Sequence, residues 1–525
     1  MNKKIQNNNT FITIFVVIFF SIFSKLFGLF RDIMIGAKFG TGIESDVYFT
    51  SLKSTTILFM SVGVAITTNM IPIIVDYISN KDMKKANLFS NKIFTLMLYL
   101  GIIFSILGYF ILPYYLKIIA HGFNEYKFQM TVETSRIIFP SIIFIFIAYS
   151  FNSMLQAFQK FKVTAIMSLP YNIILIVYMY LFSDKYSVYG LAFFTTIGWG
   201  LQAIIQVPSI LKLGYKINID NNIFRDSDVK KFIILMFPLL ISSTVYNINS
   251  LIDTSIATKL VEGKLSALNY GSAIYVAISR TIIYGISTVL YPKFSKMINE
   301  LEKNEFKEKL LGILKFLLLI LLPIEMFFIS FSVPIIEFVF KRGAFDEKSV
   351  QYTAISLSCY MLGMFAFGIQ DILNKVFFSF KDTRTTMKFS IISIFINIIL
   401  NLVLVVFFDF AGLAIATTIS TLFNAIMLYF ALQKKIGNMK NIELFKFLLK
   451  LFIIVILIGI IGKIFYLKLS NLFNYLFLLN SNINIILTLF LSGILELFLF
   501  VIFCKMLKIN EINDIMNMVF LKIRR

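Results

Sequence analysis

The chain has few of the side chains that build disulfides, metal sites and enzyme active sites. Its 525 residues include two cysteines, Cys359 and Cys504, and one histidine, His121. These numbers exclude a disulfide framework and a metal site made of histidine and cysteine. No phosphate-binding loop, dinucleotide-binding glycine motif or nucleophile elbow occurs. Polar stretches stay shorter than about 25 residues, too short for a soluble catalytic domain. We therefore predict that the protein is not an enzyme and needs no organic cofactor.

Charge is also scarce, whereas apolar sequence is abundant. Only 15% of the residues are charged and 58% are hydrophobic, against about a quarter and a half in soluble domains. Apolar runs of about 20 residues recur from end to end, and each can cross a bilayer as a helix. We predict an all-α polytopic membrane protein with 14 transmembrane helices. The predicted spans are 11–30, 51–75, 92–116, 136–158, 163–183, 188–210, 232–256, 269–292, 310–340, 352–380, 386–408, 411–433, 447–467 and 483–504.

Acidic residues are outnumbered, with 28 Asp and Glu against 49 Lys and Arg, which gives a formal charge of +21. Such a charge can indicate nucleic-acid binding, but here the basic residues follow the membrane topology. About 32 of the 49 fall on the side of the membrane that holds both termini, and the positive-inside rule makes that side cytoplasmic. We predict a protein of the cytoplasmic membrane with both termini in the cytoplasm. Its basic face would meet anionic lipid headgroups, not nucleic acid.

The sequence contains a duplication with an offset of about 221 residues. Similar segments begin near Pro72 and Pro292, Gly122 and Gly343, and Gly190 and Gly412. Each copy holds six predicted spans, and an even number makes the two copies parallel repeats, an arrangement common in transporters.

We predict an N-lobe at 1–210, a cytoplasmic connector at 211–231 and a C-lobe at 232–433. Residues 434–525 then supply a basic linker, two further spans and a cytoplasmic tail. The last two spans either seal the bundle against lipid or shape a lateral groove. Within the C-lobe, the segment 300–310 is typical of a short amphipathic helix on the membrane surface.

Ionisable residues inside membrane spans are costly and therefore indicate function. The first predicted hairpin carries basic and acidic groups together, and a lone cation lies in the middle of the eighth span. We predict that these groups form a substrate-binding site, namely Lys25, Arg31, Asp32, Asp46, Lys53 and Arg280. The alternative for the first hairpin is structural: Arg31 pairs with an aspartate, and Lys53 extends to the headgroups.

A second group of polar residues offers only oxygen ligands. Asn397 and Asn401 are four residues apart on one helical face, Asp253 lies on the seventh span, and Thr417 lies on the twelfth. Oxygen ligands suit a hard cation, so sodium is the candidate coupling ion. Buried amides also form hydrogen bonds between helices, which is the structural alternative.

Three segments resemble the MurJ/MviN family of the polysaccharide-exporter superfamily, the lipid II flippases of peptidoglycan synthesis. They are SKLFGLFRDIMIGAKFGTGIESDVYF (24–49), the stretch 338–388 that contains RGAF and KDTRT, and NIILNLVLVVFFDFAGLAIATTISTLFNA (397–425). The chain departs from the family pattern at three places. Lys25 replaces a usual arginine, the second helix lacks a usual basic pair, and Ala273 stands near an expected arginine.

The resemblance implies two six-helix lobes around a cationic cavity, with the last two helices framing a groove for a lipid tail. It implies transport of lipid II by alternating access, with a lipid-linked diphosphate sugar and membrane lipids as partners, and we expect a monomer. The resemblance places the cavity role on Lys25, Arg31, Asp32 and Asp46, and a cation site on Asp253, Asn397, Asn401 and Thr417.

The alternative within this class of transporter is a flippase for another undecaprenyl-linked glycan. A cation-coupled drug exporter would favour acidic or aromatic cavities, whereas the first hairpin leans cationic. A membrane enzyme would need a His, Asp and Glu cluster at one membrane face.

Overall fold

The computed structural model describes residues 2–220, 222–223, 226–477 and 481–513, and in these ranges every long regular element is an α-helix. The predicted all-α class is therefore confirmed. The chain divides into two compact units: unit 1 is Met1–Ser266 with Arg342–Phe345, and unit 2 is Ala267–Lys341 with Asp346–Arg525.

The helices that begin in unit 1 are α1 Asn2–Phe39, α2 Ile43–Ser79, α3 Met83–Ile119, α4 Glu125–Ile138, α5 Ser141–Ala157, α6 Phe161–Ile166, α7 Leu169–Leu181, α8 Ser183–Ile204, α9 Val207–Leu211, α10 Ser227–Ala257 and α11 Lys264–Glu300. The remaining helices belong to unit 2 and are α12 Lys303–Ser330, α13 Ser332–Phe340, α14 Glu347–Met361, α15 Met364–Ser379, α16 Thr383–Phe408, α17 Phe410–Ile436, α18 Asn441–Phe477 and α19 Ser481–Met506.

Twelve of the predicted spans correspond to apolar helices of sufficient length. Eleven such spans are found among the described residues, and a twelfth if α4 and α5, bent by 40° around Pro140, count as one. The other two predicted spans, 11–30 and 232–256, include side chains outside the described part of the chain. The total of 14 therefore stays a prediction, and the predicted tail beyond Asn513 also lies outside the described residues.

The core of unit 1 forms around α2, which packs against α4, α5, α8 and α10. The buried face of α2 is rich in small side chains, among them Ser51, Ser54 and Thr55. Small residues let helix backbones approach closely in a membrane. At Gly63, for example, an added Cβ would lie 2.4 Å from the ring of Tyr149 on α5.

Two loop glycines that correspond in the duplication make corresponding contacts in unit 1. Gly122 packs against the end of α10, where an added Cβ would lie 2.4 Å from the backbone nitrogen of Lys259. Gly343 packs against α1 near its end, where an added Cβ would lie 2.1 Å from the carbonyl oxygen of Ala37. The loop of each repeat thus contacts the first helix of the other repeat. The predicted N-lobe ends at residue 210, with the first copy of the duplication, whereas unit 1 extends to Ser266. The units do not follow the repeats, and the lobe boundaries therefore stay a prediction.

Unit 2 is built around α12, which packs against α14, α15 and α18. Leu318 and Leu322 of α12 share a buried cluster with Leu451 of α18 and Phe500 of α19. The prediction of a separate surface helix at 300–310 is wrong, because α12 begins at Lys303 and continues to Ser330. Its first turns bury Phe306 and Leu310, so the amphipathic pattern there reflects packing inside the unit.

Candidate functional site

Arg31 and Asp32 form an ion pair near the C-terminal end of α1. Arg31 Nε and Nη2 donate to Asp32 Oδ1 at 2.9 and 2.7 Å, and Nη1 donates to Asn172 Oδ1 on α7 at 3.0 Å. The guanidinium also lies 5.6 Å from the centre of the Tyr171 ring, within reach of a cation–π interaction. The pair agrees with the structural alternative. Asn172 and Tyr171 were missed, since nothing in the sequence links positions so far apart.

Lys25 lies about two turns before Arg31 on α1 and is exposed. The neighbouring Ser24 is buried and shares a hydrogen bond with Ser168, and Asn172 Nδ2 donates to the Ser24 carbonyl oxygen at 3.3 Å. These contacts hold α1 against the start of α7. They fix the segment of α1 that carries Lys25 and Arg31.

Asp46, by contrast, is enclosed by protein partners in unit 1. Lys127 Nζ lies 2.7 Å from Asp46 Oδ2, and the backbone N–H of Gly263 donates to the same oxygen at 2.9 Å. Ser266 donates to Oδ1 from its backbone N–H at 2.9 Å and from its hydroxyl. The carboxylate joins α2, α4 and the start of α11, and Asp46 is only 1% exposed. These contacts support a structural role, and the predicted substrate role of Asp46 stays a prediction.

Lys53 and Asp253 interact electrostatically within unit 1. Lys53 lies two turns after Asp46 on α2, and Asp253 lies on α10, which packs against α2. The sequence predicts these residues at different sites, Lys53 for substrate and Asp253 for a cation. The structure instead places Asp253 close enough to Lys53 for the two charges to attract each other.

Arg280 lies in the middle of α11 and is exposed, and its predicted role in substrate binding stays a prediction. Within the described ranges, no carboxylate forms an ion pair with it.

The asparagines of the predicted cation site lie in unit 2 and bond to each other and across two helices. Asn401 Nδ2 donates to Asn397 Oδ1 at 3.0 Å, and Asn397 Nδ2 donates to Ser420 Oγ of α17 at 3.3 Å. Thr417 Oγ1 donates to the Leu413 carbonyl of its own helix at 3.1 Å. These contacts agree with the alternative of buried amides that join helices. Sodium binding stays a prediction.

The two C-terminal helices of unit 2 leave a lateral groove as well as joining the core. A cavity of about 590 Å³ is lined by α12, α18, α19 and Ile512. Its walls are leucine, isoleucine, phenylalanine and valine apart from Pro323, Gly493 and Glu496. The cavity agrees with the alternative of a lateral groove, and the role of these two helices stays a prediction.

The chain matches known proteins along most of its length. The family model described as lipid II flippase MurJ matches residues 35–503. A probable lipid II flippase MurJ of Buchnera aphidicola subsp. Schizaphis graminum is 29% identical over 443 residues, which cover 83% of this chain and 86% of that protein. A solved structure of lipid II flippase MurJ in an inward closed conformation is similar with a TM-score of 0.77 and 25% identity, over 94% of this chain and 99% of that one.

A multidrug resistance MATE transporter of the MOP superfamily, solved in an inward-facing conformation, has a TM-score of 0.69 at 14% identity. The match covers 79% of this chain and 94% of that one. At that identity the likeness concerns the fold alone.

Proposed function

Because the chain belongs to the lipid II flippase MurJ family, we infer that it is a flippase for lipid II. It is a multi-pass membrane protein that transports its substrate and catalyses no chemical reaction. The observation that carries this inference is the family match over residues 35–503. We propose that it acts as a monomer in the cytoplasmic membrane, with both termini in the cytoplasm.

The physical problem is the passage of a charged, hydrated headgroup through hydrocarbon. A diphosphate cannot be buried in an apolar medium without compensating charges and hydrogen bonds. We propose that the headgroup enters a cavity lined by cations, while the polyprenyl chain stays in the lipid. Alternating access would then release the headgroup on the outer side.

Lys25 and Arg31 are the residues that we propose to pair with the diphosphate. They lie on one segment of α1 that Asn172 holds against α7, and charge-assisted hydrogen bonds to phosphate are short and strong. Asp32 engages two guanidinium nitrogens of Arg31. A diphosphate would therefore have to compete with Asp32 or add to its contacts. Exposed Lys25 is the more accessible cation.

Lys53 and Arg280 are proposed as supporting cations. Lys53 already interacts with Asp253, so a diphosphate that approaches Lys53 would weaken this interaction. We propose that Asp253 then attracts a cation, either sodium or another cation that the membrane potential drives. Binding of the diphosphate and binding of the cation would thereby be coupled without an ATP site.

Complementation of a strain depleted of its lipid II flippase tests this function and this site together. We expect the wild-type chain to restore growth, and the Lys25→Glu, Arg31→Glu double variant to fail at equal membrane abundance. A matched control is Lys160→Glu, Lys162→Glu, which reverses two exposed cations outside the site and should still restore growth. Growth of the first double variant would overturn the site assignment. Failure of the wild type, with loss of another surface polymer on deletion, would favour a different undecaprenyl-linked glycan.

A further inference from the structure

A line of polar side chains runs along α19, which packs against α18. Every fourth residue of this stretch is polar and buried, and residues four apart lie on one helical face. The line consists of Asn484, Thr488, Ser492 and Glu496, which are 3%, 0%, 0% and 4% exposed. Buried polar and ionisable groups are costly in a membrane helix, so the line indicates a function.

One end of this polar line lies next to the loop between α18 and α19. Asn484 Nδ2 donates to Asn474 Oδ1 at 2.5 Å and to the Ser470 carbonyl oxygen at 3.2 Å, and both partners belong to α18. Further along, Tyr466 of α18 interacts with Thr488. Because Asn474 is exposed, the polar line reaches the surface of the unit at its loop end.

The other end of the polar line is Glu496, which is closed off by apolar side chains. Glu496 follows Asn484 by twelve residues, a distance of about 18 Å along a helix. The next positions at the same spacing are Phe500 and Cys504, which are buried in an apolar cluster with residues of α12 and α18. Glu496 therefore lies where the polar half of α19 meets its apolar half.

Several atoms along the polar line have hydrogen-bonding capacity that no protein atom uses. In the described part of the structure, no partner is found for Asn484 Oδ1, Ser492 Oγ and Glu496 Oε1. At Gly462 of α18 an added Cβ would overlap Glu496 Oε1, so the glycine makes room for the carboxyl group. Buried polar atoms nearly always have a partner, and ordered water supplies it where no protein group does.

No charge of a neighbouring helix compensates Glu496. The helices packed against α19 are α12, α13 and α18. Along the stretches that accompany α19, their titratable groups are Glu325, Glu337, Lys463, Tyr466 and Lys468. Among the described residues, none of these groups forms an ion pair or a hydrogen bond with Glu496. An unpaired carboxylate in such a place is costly, so the carboxyl group binds a proton.

We propose that Glu496 is a proton-binding site that exchanges its proton through water held along the polar line of α19. The carboxylate takes a proton from a hydronium ion that enters at the loop end, and it returns the proton to water by the same path. The apolar cluster beyond Glu496 closes the opposite direction. This site goes beyond the proposed function, because its proton exchange does not depend on transport of lipid II.

Infrared spectroscopy of the full-length chain in lipid vesicles, transferred from H₂O to D₂O, tests the proposal. The band of a protonated carboxyl group shifts when deuterium replaces its proton. Glu496→Gln keeps the shape of the side chain but has no carboxyl group, so the band that this variant loses belongs to Glu496. We expect the wild type to show this band at neutral pH and to shift it in D₂O.

The Thr488→Val, Ser492→Ala double variant removes two hydroxyl groups of the polar line and leaves Glu496 in place. We expect it to slow the exchange at Glu496 about tenfold, the effect of about one lost hydrogen bond. Cys504→Ala is the matched control, because it shortens a buried side chain on the apolar side of Glu496. This variant should exchange at the wild-type rate, and unchanged amide bands should show that all variants keep their helices.

Three results would overturn the proposal. The first is an identical set of carboxyl bands in the wild type and Glu496→Gln, which would mean that Glu496 binds no proton. The second is exchange at the wild-type rate in the folded Thr488→Val, Ser492→Ala variant. The third is equal slowing by Cys504→Ala, which would show that the proton does not follow the polar half of α19.

Discussion

At Asp46, one carboxylate joins three segments of unit 1 that are far apart in sequence. Its partners are a lysine side chain, two backbone N–H groups and a hydroxyl. A charge can be buried only when such partners are fixed around it, because attraction and hydrogen bonds at short distance must offset the cost of removing the charge from water. The sequence revealed Asp46 as a charge near a membrane span, but its partner Lys127 lies in a polar stretch and carries no signal of burial. Asp46 and Lys127 come close together only when the chain folds, so the sequence does not show that they pair.

We predict that Asp46→Asn destabilises the protein by about 3–5 kcal/mol, since it leaves Lys127 buried without its counter-charge. Thermal unfolding of the purified protein in detergent measures the effect. Removing the lysine as well, in Asp46→Asn, Lys127→Met, should recover part of the loss. The control is Asp184→Asn, because Asp184 pairs with Lys38 but its side chain is 88% exposed, and such pairs contribute at most about 1 kcal/mol. Equal losses at Asp46 and Asp184 would show that Asp46 is not a structural junction.

At the scale of the helix, the connector before α10 is tied to α3 at defined points. Asn91 of α3 accepts from the Tyr215 hydroxyl at 2.6 Å and donates to the Lys216 carbonyl at 2.9 Å. Lys92 Nζ lies 2.6 Å from Asp226 Oδ2. Asp226 also caps α10, since its side chain accepts from the backbone N–H groups of the first turn. The predicted connector is therefore held to unit 1 in its described parts.

We predict that Asp226→Asn lowers stability by about 1–3 kcal/mol at neutral pH, because it removes the charge that compensates Lys92. Burial raises the pKa of Asp226, but the hydrogen bond from Lys92 and two backbone N–H groups outweighs it and holds the pKa below its usual value. A carboxyl group with a depressed native pKa stabilises the fold above its unfolded pKa of about 3.9, and this stabilisation is lost as the pH falls through the native pKa. The difference in unfolding temperature between the two proteins should thus shrink below about pH 4. A difference that is the same at pH 7 and pH 3 would contradict the role of the charge.

The paired loop glycines give a second prediction at this scale. In Gly343→Ala the new methyl group would meet the backbone of Ala37, and the residue has φ +58°, where alanine is strained. We expect a loss of about 1–3 kcal/mol in thermal unfolding. Gly122→Ala should also destabilise, because it meets the backbone of Lys259. Gly312 lies inside α12, and an added methyl group there would have no neighbouring atom within 4 Å. Gly312→Ala should therefore raise the stability by up to about 1 kcal/mol. A neutral Gly343→Ala would mean that the loop is free to move away.

At the scale of the whole molecule, the sequence predicted what depends on local pattern. Long apolar runs predicted eleven spans that the described residues confirm, and a twelfth if α4 and α5 count as one. Family motifs led to the flippase assignment. The residues that surround the charges were not predictable, because Asn172 reaches Arg31 and Asp253 reaches Lys53 only through helix packing. The surface helix at 300–310 was predicted wrongly for the same reason. Its apolar face packs against protein, and amphipathic periodicity does not distinguish that from lipid.

The central proposal for this chain is transport of lipid II across the membrane by means of Lys25 and Arg31. Its most direct measurement is the exposure of lipid II on the outer leaflet, read by an externally added enzyme that cleaves lipid II, in cells depleted of their own flippase. With the wild-type chain and with Lys160→Glu, Lys162→Glu, we predict that lipid II is cleaved; with Lys25→Glu, Arg31→Glu at equal abundance, it should stay protected. Cleavage at the wild-type level in that last variant would contradict the role of Lys25 and Arg31, and no cleavage with the wild-type chain would contradict transport of lipid II.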